Sequence, residues 1–105
     1  MKILIIEDSE PYGKMLAQYL PDHSVDREME LEAGLIRLDE DKYDVLILDL
    51  GFPGISPKQT LSRVFARSPH TAIVVVTGNT DQRTMEKAFD LGALGYIVKN
   101  DGEGF

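Results

Sequence analysis

Cysteine is absent from this chain of 105 residues, and histidine occurs only twice, as His23 and His70. The absence of thiols excludes disulfides, thiolate zinc sites and cysteine nucleophiles. The two histidines stand far apart in the sequence, so a metal site made only of histidines would need a second chain. We therefore expect any chemistry of this chain to depend on other polar side chains.

Basic residues and long apolar runs are scarce as well. The chain has 11 Lys and Arg residues against 18 acidic residues, which gives a net charge of −7. This balance argues against a surface that binds nucleic acid or anionic lipid. The first apolar run, Ile3–Ile6, stops at Glu7, too early for a signal peptide, and no run approaches the roughly 18 residues of a membrane span. We expect a soluble, cytoplasmic protein that does not contact membranes.

Short apolar runs indicate the strands of a globular protein. The hydrophobic fraction of 43% is ordinary for such a protein, and the length fits one domain over residues 1–105. Three continuous runs predict strands covered on both faces, namely Ile3–Ile6, Val45–Leu48 and Ile73–Val76. A fourth run, Tyr96–Val98, follows two glycines, and Ser24–Glu28 alternates with charge and fits only an edge strand.

Segments with a helical period separate these runs. The four apolar stripes are Tyr12, Met15, Leu16, Tyr19 and Leu20; Leu31, Leu35 and Leu38; Leu61, Val64 and Phe65; and Met85, Ala88 and Phe89. Ser9 and Ser56 are predicted N-caps, each close to a proline in the first helical turn, and Gly92 is a predicted stop. Strands that alternate with helices predict an α/β fold with a parallel sheet and helices on both faces.

Four helices cannot cover both faces of a five-stranded sheet evenly. If the first helix lies alone on its face, an apolar strip of sheet stays bare. Such strips tend to be covered by a partner, an exchanged element or a missing segment. The chain could accordingly be a truncated piece of a longer protein.

Polar side chains directly follow each of the four apolar strands. Glu7 and Asp8 follow the first, Asp49 the second, Thr77 the third and Lys99 the last. The carboxyl ends of parallel strands share one edge of the sheet, where ligands bind. We therefore expect three carboxylates, a hydroxyl and an ammonium to converge there.

Three neighbouring carboxylates repel one another and need a cation. Oxygen ligands with room for water suit Mg²⁺ or Mn²⁺ rather than zinc. A carboxylate beside such an ion can attack phosphorus and form an acyl phosphate. A lysine and a threonine can then bind the oxygens of the transferred group. Each residue alone has an ordinary structural explanation, as a helix cap, a turn residue or a solvated lysine, so the prediction depends on their combination.

These motifs make the chain similar to the receiver domain of two-component response regulators, the CheY-like family. The motifs are Leu4–Ser9, Asp44–Gly54, Val74–Gly78 and Gly95–Lys99, and the resemblance covers the whole chain. It implies a flavodoxin-like, doubly wound sheet of five parallel strands in the order 2-1-3-4-5. The family's closing fifth helix is missing from this sequence.

The resemblance implies a phosphorelay function. Asp49 would accept a phosphoryl group from a histidine of a sensor histidine kinase or a histidine phosphotransfer protein. Thr77 and Lys99 would bind the phosphoryl oxygens, and Tyr96 would be the switch aromatic. The implied ligands of Mg²⁺ are Glu7, Asp8, Asp49 and the backbone carbonyl of Gly51. Such a domain is a signalling switch that catalyses only its own phosphorylation and dephosphorylation.

The output surface implied by the family is roughly Thr84–Val98. A homodimer is possible through this fourth helix and fifth strand, or through the uncovered sheet face. Two further departures from the family pattern stand out: Asn100 follows Lys99 where proline is usual, and Ser56-Pro57 replaces Asp-Gly before the third helix. Because asparagine forms cis peptide bonds far less readily than proline, the loop of Lys99 is expected to have a different geometry.

Three alternatives use a related fold. A pseudo-receiver would bind partners without phosphorylation, and Asn100 and the missing helix leave it open. A flavodoxin-like cofactor carrier is disfavoured, because Glu7 and Asp8 would repel a flavin phosphate after the first strand. The phosphatases that use Asp-x-Asp are a poor match, since Gly51 occupies the position of the second acid.

Overall fold

The computed structural model describes residues 1–99, in which five strands alternate with four helices. The strands are β1 (Lys2–Ile6), β2 (Ser24–Glu28), β3 (Val45–Leu48), β4 (Ala72–Thr77) and β5 (Gly95–Val98). The helices are α1 (Glu10–Gln18), α2 (Leu31–Glu40), α3 (Pro57–Arg67) and α4 (Gln82–Leu91). Each predicted element is present, close to its predicted bounds.

The sheet is parallel throughout and has the order β2-β1-β3-β4-β5. This confirms the predicted doubly wound, flavodoxin-like fold. Leu4 and Ile6 of β1 belong to the main core beneath α2, α3 and α4, which pack side by side. Ile3 and Ile5 point to the opposite face, where α1 packs against β1.

The predicted caps fix the starts of two helices and the end of a third. Ser9 accepts a hydrogen bond from the backbone N–H of Tyr12 at the start of α1. Ser56 and Gln59 form a reciprocal capping box at the start of α3. Gly92 ends α4 with a φ of 114°, a left-handed conformation that favours glycine.

Two aromatic side chains are more exposed than their helical stripes predict. Tyr19 is 75% exposed because α1 ends at Gln18 and Tyr19 is only its C-cap. Phe89 is 47% exposed because α4 buries Thr84 and Ala88, and the next residue points about 100° away from that face. Membership of an apolar helical stripe predicts at least partial burial, and that prediction is wrong for both residues.

Within residues 1–99, an apolar strip of sheet beside α1 is only partly covered. On that face Ile47 and Val74 are half-buried and Ile97 is 53% exposed. The strip agrees with the expectation that four helices leave part of this face uncovered. Asn100, and any structure that follows it, lies outside the described residues. Among residues 1–99, no helix is long and apolar enough to cross a membrane.

Candidate functional site

The register of the sheet brings the predicted polar residues to one edge. Ile6 of β1 pairs with Leu48 of β3, so Glu7 and Asp49 follow at the same level. Thr77 ends β4 opposite Val98, and the N–H of Lys99 donates to the Thr77 carbonyl at 2.8 Å. Residues from four separate strands therefore meet at the carboxyl edge of the sheet, as the sequence predicts.

Glu7, Asp8 and Asp49 form an acid cluster. One carboxylate oxygen from each residue lies within 4.8 Å of the others. Glu7 and Asp49 are buried, with exposures of 3% and 5%, whereas Asp8 is exposed. The cluster therefore has a buried floor and one side that is open to solvent.

Lys99 supplies the positive charge inside this site. Its Nζ lies 2.5 Å from Glu7 Oε1 and 3.5 Å from Asp49 Oδ2. One ammonium lies beside two members of a cluster of three acidic side chains, so acidic groups outnumber basic ones in the site. Such an excess in a partly dry environment favours the binding of a cation or of a proton.

Burial and the neighbouring charges separate the two buried carboxyls. Burial raises the pKa of Glu7 to about 7, against the opposing effect of Lys99. Burial also works to raise the pKa of Asp49, but Glu7 and Lys99 hold that pKa below its ordinary value. Asp49 is thus the carboxylate that stays ionised most readily. Burial works to lower the pKa of Lys99, but Glu7 and Asp49 raise it above its ordinary value.

The two oxygens of Asp49 have different surroundings. Oδ1 accepts hydrogen bonds from the backbone N–H groups of Leu50, at 2.7 Å, and Gly51, at 3.3 Å. Oδ2 accepts a longer hydrogen bond, of 3.5 Å, from the Lys99 ammonium. Gly51 is placed beside Asp49, since a Cβ on it would lie 3.5 Å from Oδ2. The backbone therefore holds Oδ1 in place, and Oδ2 points toward Lys99.

Thr77 and Tyr96 lie on the β4 and β5 side of the site. Thr77 is buried, and its hydroxyl accepts a hydrogen bond from the backbone N–H of Asn79 at 3.3 Å. Tyr96 is half-buried against the core and donates its hydroxyl to the Asn79 carbonyl at 3.0 Å. Both residues are therefore tied to the loop that joins β4 to α4.

One neighbour of the site, Tyr12, is not predicted by the sequence motifs. Lys99 Nζ lies over the ring of Tyr12, 4.4 Å from its centroid. Its place on the first apolar helical stripe predicts only that Tyr12 packs against the sheet, and Tyr12 is half-buried. Its position in the first turn of α1, close after Glu7 and Asp8, is the only signal in the sequence that could have suggested this contact.

The donor set fits a magnesium ion. All candidate side-chain ligands are carboxylate oxygens, and the exposed Asp8 leaves access for water, which Mg²⁺ retains in most protein sites. Glu7, Asp8 and Asp49 are the residues that would hold it. The Gly51 carbonyl, the fourth ligand implied by the family, remains a prediction, as do the roles of the other site residues.

Comparison with known proteins identifies the class. The sequence profile of the response regulator receiver domain matches residues 3–103, so the chain belongs to this family of two-component signalling proteins. The response regulator ArlR of Staphylococcus haemolyticus (strain JCSC1435) is 36% identical over 99 residues, which are 92% of this chain and 45% of ArlR. The chain thus spans about half the length of the curated relatives it matches.

Solved structures agree with this assignment at the level of the fold. A CheY-like receiver domain protein of Methanospirillum hungatei JF-1 has a TM-score of 0.84 at 20% identity, covering 93% of this chain and 80% of that protein. TrrA of Thermotoga maritima, in complex with Mg²⁺-BeF, has a TM-score of 0.79 at 23% identity, covering 96% and 88%. The protein is a receiver-domain signalling switch with a CheY-like fold.

Proposed function

We propose that Asp49 accepts a phosphoryl group in a Mg²⁺-dependent reaction. The observation that carries this proposal is the buried Asp49 carboxylate, grouped with Glu7 and Asp8 within 4.8 Å and with Lys99 at 3.5 Å. No other acid of the cluster combines burial with a lowered pKa. This combination suits a carboxylate nucleophile, which must be ionised and must be held in place.

The Oδ2 atom of Asp49 is the proposed nucleophile. Oδ2 forms the new P–O bond while the P–N bond to the donor histidine breaks. The imidazole leaves with the electron pair of the P–N bond. The N–H groups of Leu50 and Gly51 hold Oδ1 and so fix the direction of Oδ2. A bound Mg²⁺ would neutralise charge on the carboxylates and on the phosphoryl oxygens.

Lys99 and Thr77 are the proposed ligands of the transferred group. Lys99 already lies beside Oδ2, so its ammonium can neutralise an added phosphoryl oxygen. The Thr77 hydroxyl is buried at the end of β4 and is tied to Asn79, as is Tyr96. A movement of Thr77 toward the phosphoryl group would therefore disturb the loop against which Tyr96 rests, which supports Tyr96 as the switch residue.

The phosphoryl donor is expected to be a histidine of a sensor kinase or of a phosphotransfer protein. Membership of the receiver family and the similarity to ArlR support this partner class. The Mg²⁺-BeF complex of TrrA supports Mg²⁺ as the metal, with Mn²⁺ as a possible substitute. The net charge of −7 gives no support to direct binding of nucleic acid by this chain.

Phosphorylation by acetyl phosphate tests the proposal. The parent should gain the mass of one phosphoryl group in the presence of Mg²⁺ and none after the metal is chelated. Asp49→Asn should gain none, because the amide is not a nucleophile at this position. Asp22→Asn, which changes an exposed acid outside the cluster, is the matched control and should label like the parent.

Two results would contradict the proposal. Labelling of Asp49→Asn at the parent's rate would place the acceptor elsewhere. A parent that takes up no phosphoryl group, and binds its partners equally well with or without Mg²⁺, would instead be a pseudo-receiver.

A further inference from the structure

Tyr12 is the aromatic side chain that faces the Lys99 ammonium. Lys99 Nζ lies 4.4 Å from the centre of the Tyr12 ring, within the range of a cation–π interaction. Lys99 is mostly buried, with 14% of its side chain exposed, so water screens this contact little. The interaction connects the first turn of α1 to the residue that follows β5.

Local hydrogen bonds tie the ring to the acid cluster. The Ser9 N–H donates to Glu7 Oε2 at 3.0 Å, and the Tyr12 N–H donates to Ser9 Oγ at 3.3 Å. The start of α1 is therefore held at a fixed position relative to Glu7. Gly13, which follows Tyr12, is buried beside Glu7, since a Cβ there would lie 3.8 Å from Glu7 Cγ.

A lysine side chain needs such support because it is flexible. Its stem has many rotamers, and fixing it in one of them has a large entropic cost. Glu7 and Asp49 attract the Lys99 ammonium, which lies 2.5 Å from Glu7 Oε1 and 3.5 Å from Asp49 Oδ2. In the proposed function both acids take new partners, a metal ion and a phosphoryl group, so their attraction for Lys99 changes. The face of the Tyr12 ring keeps the same charge distribution throughout.

We propose that Tyr12 is a positioning residue that holds the Lys99 ammonium in place for the phosphoryl group. This inference rests on the proposed function and extends it by one residue. Tyr12 acts through Lys99, whose ammonium lies over its ring. The aromatic ring carries the effect, so phenylalanine should replace Tyr12, whereas leucine should not.

The first readout is the chemical shift of the Lys99 side chain. Protons over the face of an aromatic ring are shifted upfield, and Lys99→Met identifies the signals by their loss. The upfield shift should be present in the parent and in Tyr12→Phe and absent from Tyr12→Leu. If the parent lacks this shift, Lys99 does not lie over the ring in solution and the proposal fails.

The second readout is the affinity for beryllofluoride, an analogue of the phosphoryl group, at saturating Mg²⁺. Tyr12→Leu should bind it about five- to tenfold more weakly, and Tyr12→Phe within about twofold of the parent. The affinity for Mg²⁺ alone should stay within about twofold of the parent in both variants, because Tyr12 supplies no ligand. Tyr19→Leu, which changes an exposed tyrosine just after α1, is the matched control.

The outcomes separate this inference from the proposed function. A parent that binds neither Mg²⁺ nor beryllofluoride contradicts the proposed function itself. A parent that binds both, together with Tyr12→Leu that binds beryllofluoride equally well, contradicts only the role of Tyr12. If Tyr12→Leu fails to fold, trifluorophenylalanine at position 12 keeps the shape and weakens the ring's negative face. It should then show the reduced affinity, and an unchanged affinity would overturn the proposal.

Discussion

Two groups of polar and charged side chains in this protein differ in how completely their charges are paired. The acid cluster and Lys99 combine three carboxylates with one ammonium, and two of those acids are buried. The second group, here named the β2-edge network, consists of Asp26, Glu28, Arg37 and Tyr43. The first group lies at the carboxyl edge of the sheet, and the second links β2 to α2 and to the start of β3.

The β2-edge network is nearly balanced and well hydrogen-bonded. Arg37 Nε donates to Glu28 at 2.6 Å and its Nη1 lies 3.4 Å from Asp26. The hydroxyl of Tyr43 donates to Asp26 at 2.6 Å. Each acid thus has a specific donor, and the network is half-exposed, so it holds an edge strand in place without the burial of an unpaired charge.

The two groups should respond differently to the loss of one member. In the β2-edge network the loss of Arg37 or Tyr43 should destabilise the fold, because Asp26 or Glu28 would then lose a hydrogen-bond or ion-pair partner. In the acid cluster the loss of a carboxylate should relieve repulsion, while the loss of Lys99 should increase it. A surplus of buried negative charge is a cost to the metal-free fold, and such costs are typical of sites that bind a ligand.

The largest effect is expected from Lys99→Met. This change leaves Glu7 and Asp49 buried without their nearest cation, so the metal-free protein should lose about 2 kcal/mol in free energy of unfolding. Saturating Mg²⁺ should restore more stability to the variant than to the parent. Urea unfolding with and without Mg²⁺ measures both effects, and Lys42→Met, which changes an exposed lysine, is the control. Equal stability of variant and parent without metal would contradict the imbalance.

Asp8→Asn should have the opposite effect on the free energy of unfolding. It removes one of three mutually repelling acids, so the metal-free protein should be slightly more stable than the parent. The affinity for Mg²⁺ should fall by about tenfold or more, because the site loses a charged ligand. Calorimetric or NMR titration with MgCl₂ measures the affinity, and Asp22→Asn provides the exposed comparison. An unchanged affinity would remove Asp8 from the ligand set.

Tyr43→Phe tests the other group. The variant keeps the buried ring and removes the hydroxyl that donates to Asp26, so the free energy of unfolding should fall by about 1 kcal/mol. Mg²⁺ binding and phosphorylation should be unchanged, because the β2-edge network supplies no residue to the site. Tyr19→Phe, at an exposed position, should leave stability as it is. A change in Mg²⁺ affinity in Tyr43→Phe would break the separation between the two groups.

The sequence predicts the acid cluster better than the β2-edge network, and the reason is geometric. Parallel strands bring their carboxyl ends to one edge, so residues that follow strands can be placed together without knowledge of the helices. The contacts of Arg37 and Tyr12 depend on how a helix turns its side chains toward a neighbour. The exposed position of Tyr19 likewise depends on the end of α1 at Gln18, which the apolar stripe does not reveal.

A further effect should appear only in alkaline solution. Burial, together with the hydrogen bond to Asp26, raises the pKa of Tyr43 from 10.0 to about 12, so the folded state binds this proton more tightly than the unfolded state. The resulting stability is complete below pH 10 and is lost as the pH rises through about 12. Phenolate absorbance and unfolding curves, compared between the parent and Tyr43→Phe, measure this loss. If the two proteins lose stability equally over that interval, the phenol of Tyr43 is not held protonated by the fold, and the β2-edge network is weaker than its short hydrogen bonds indicate.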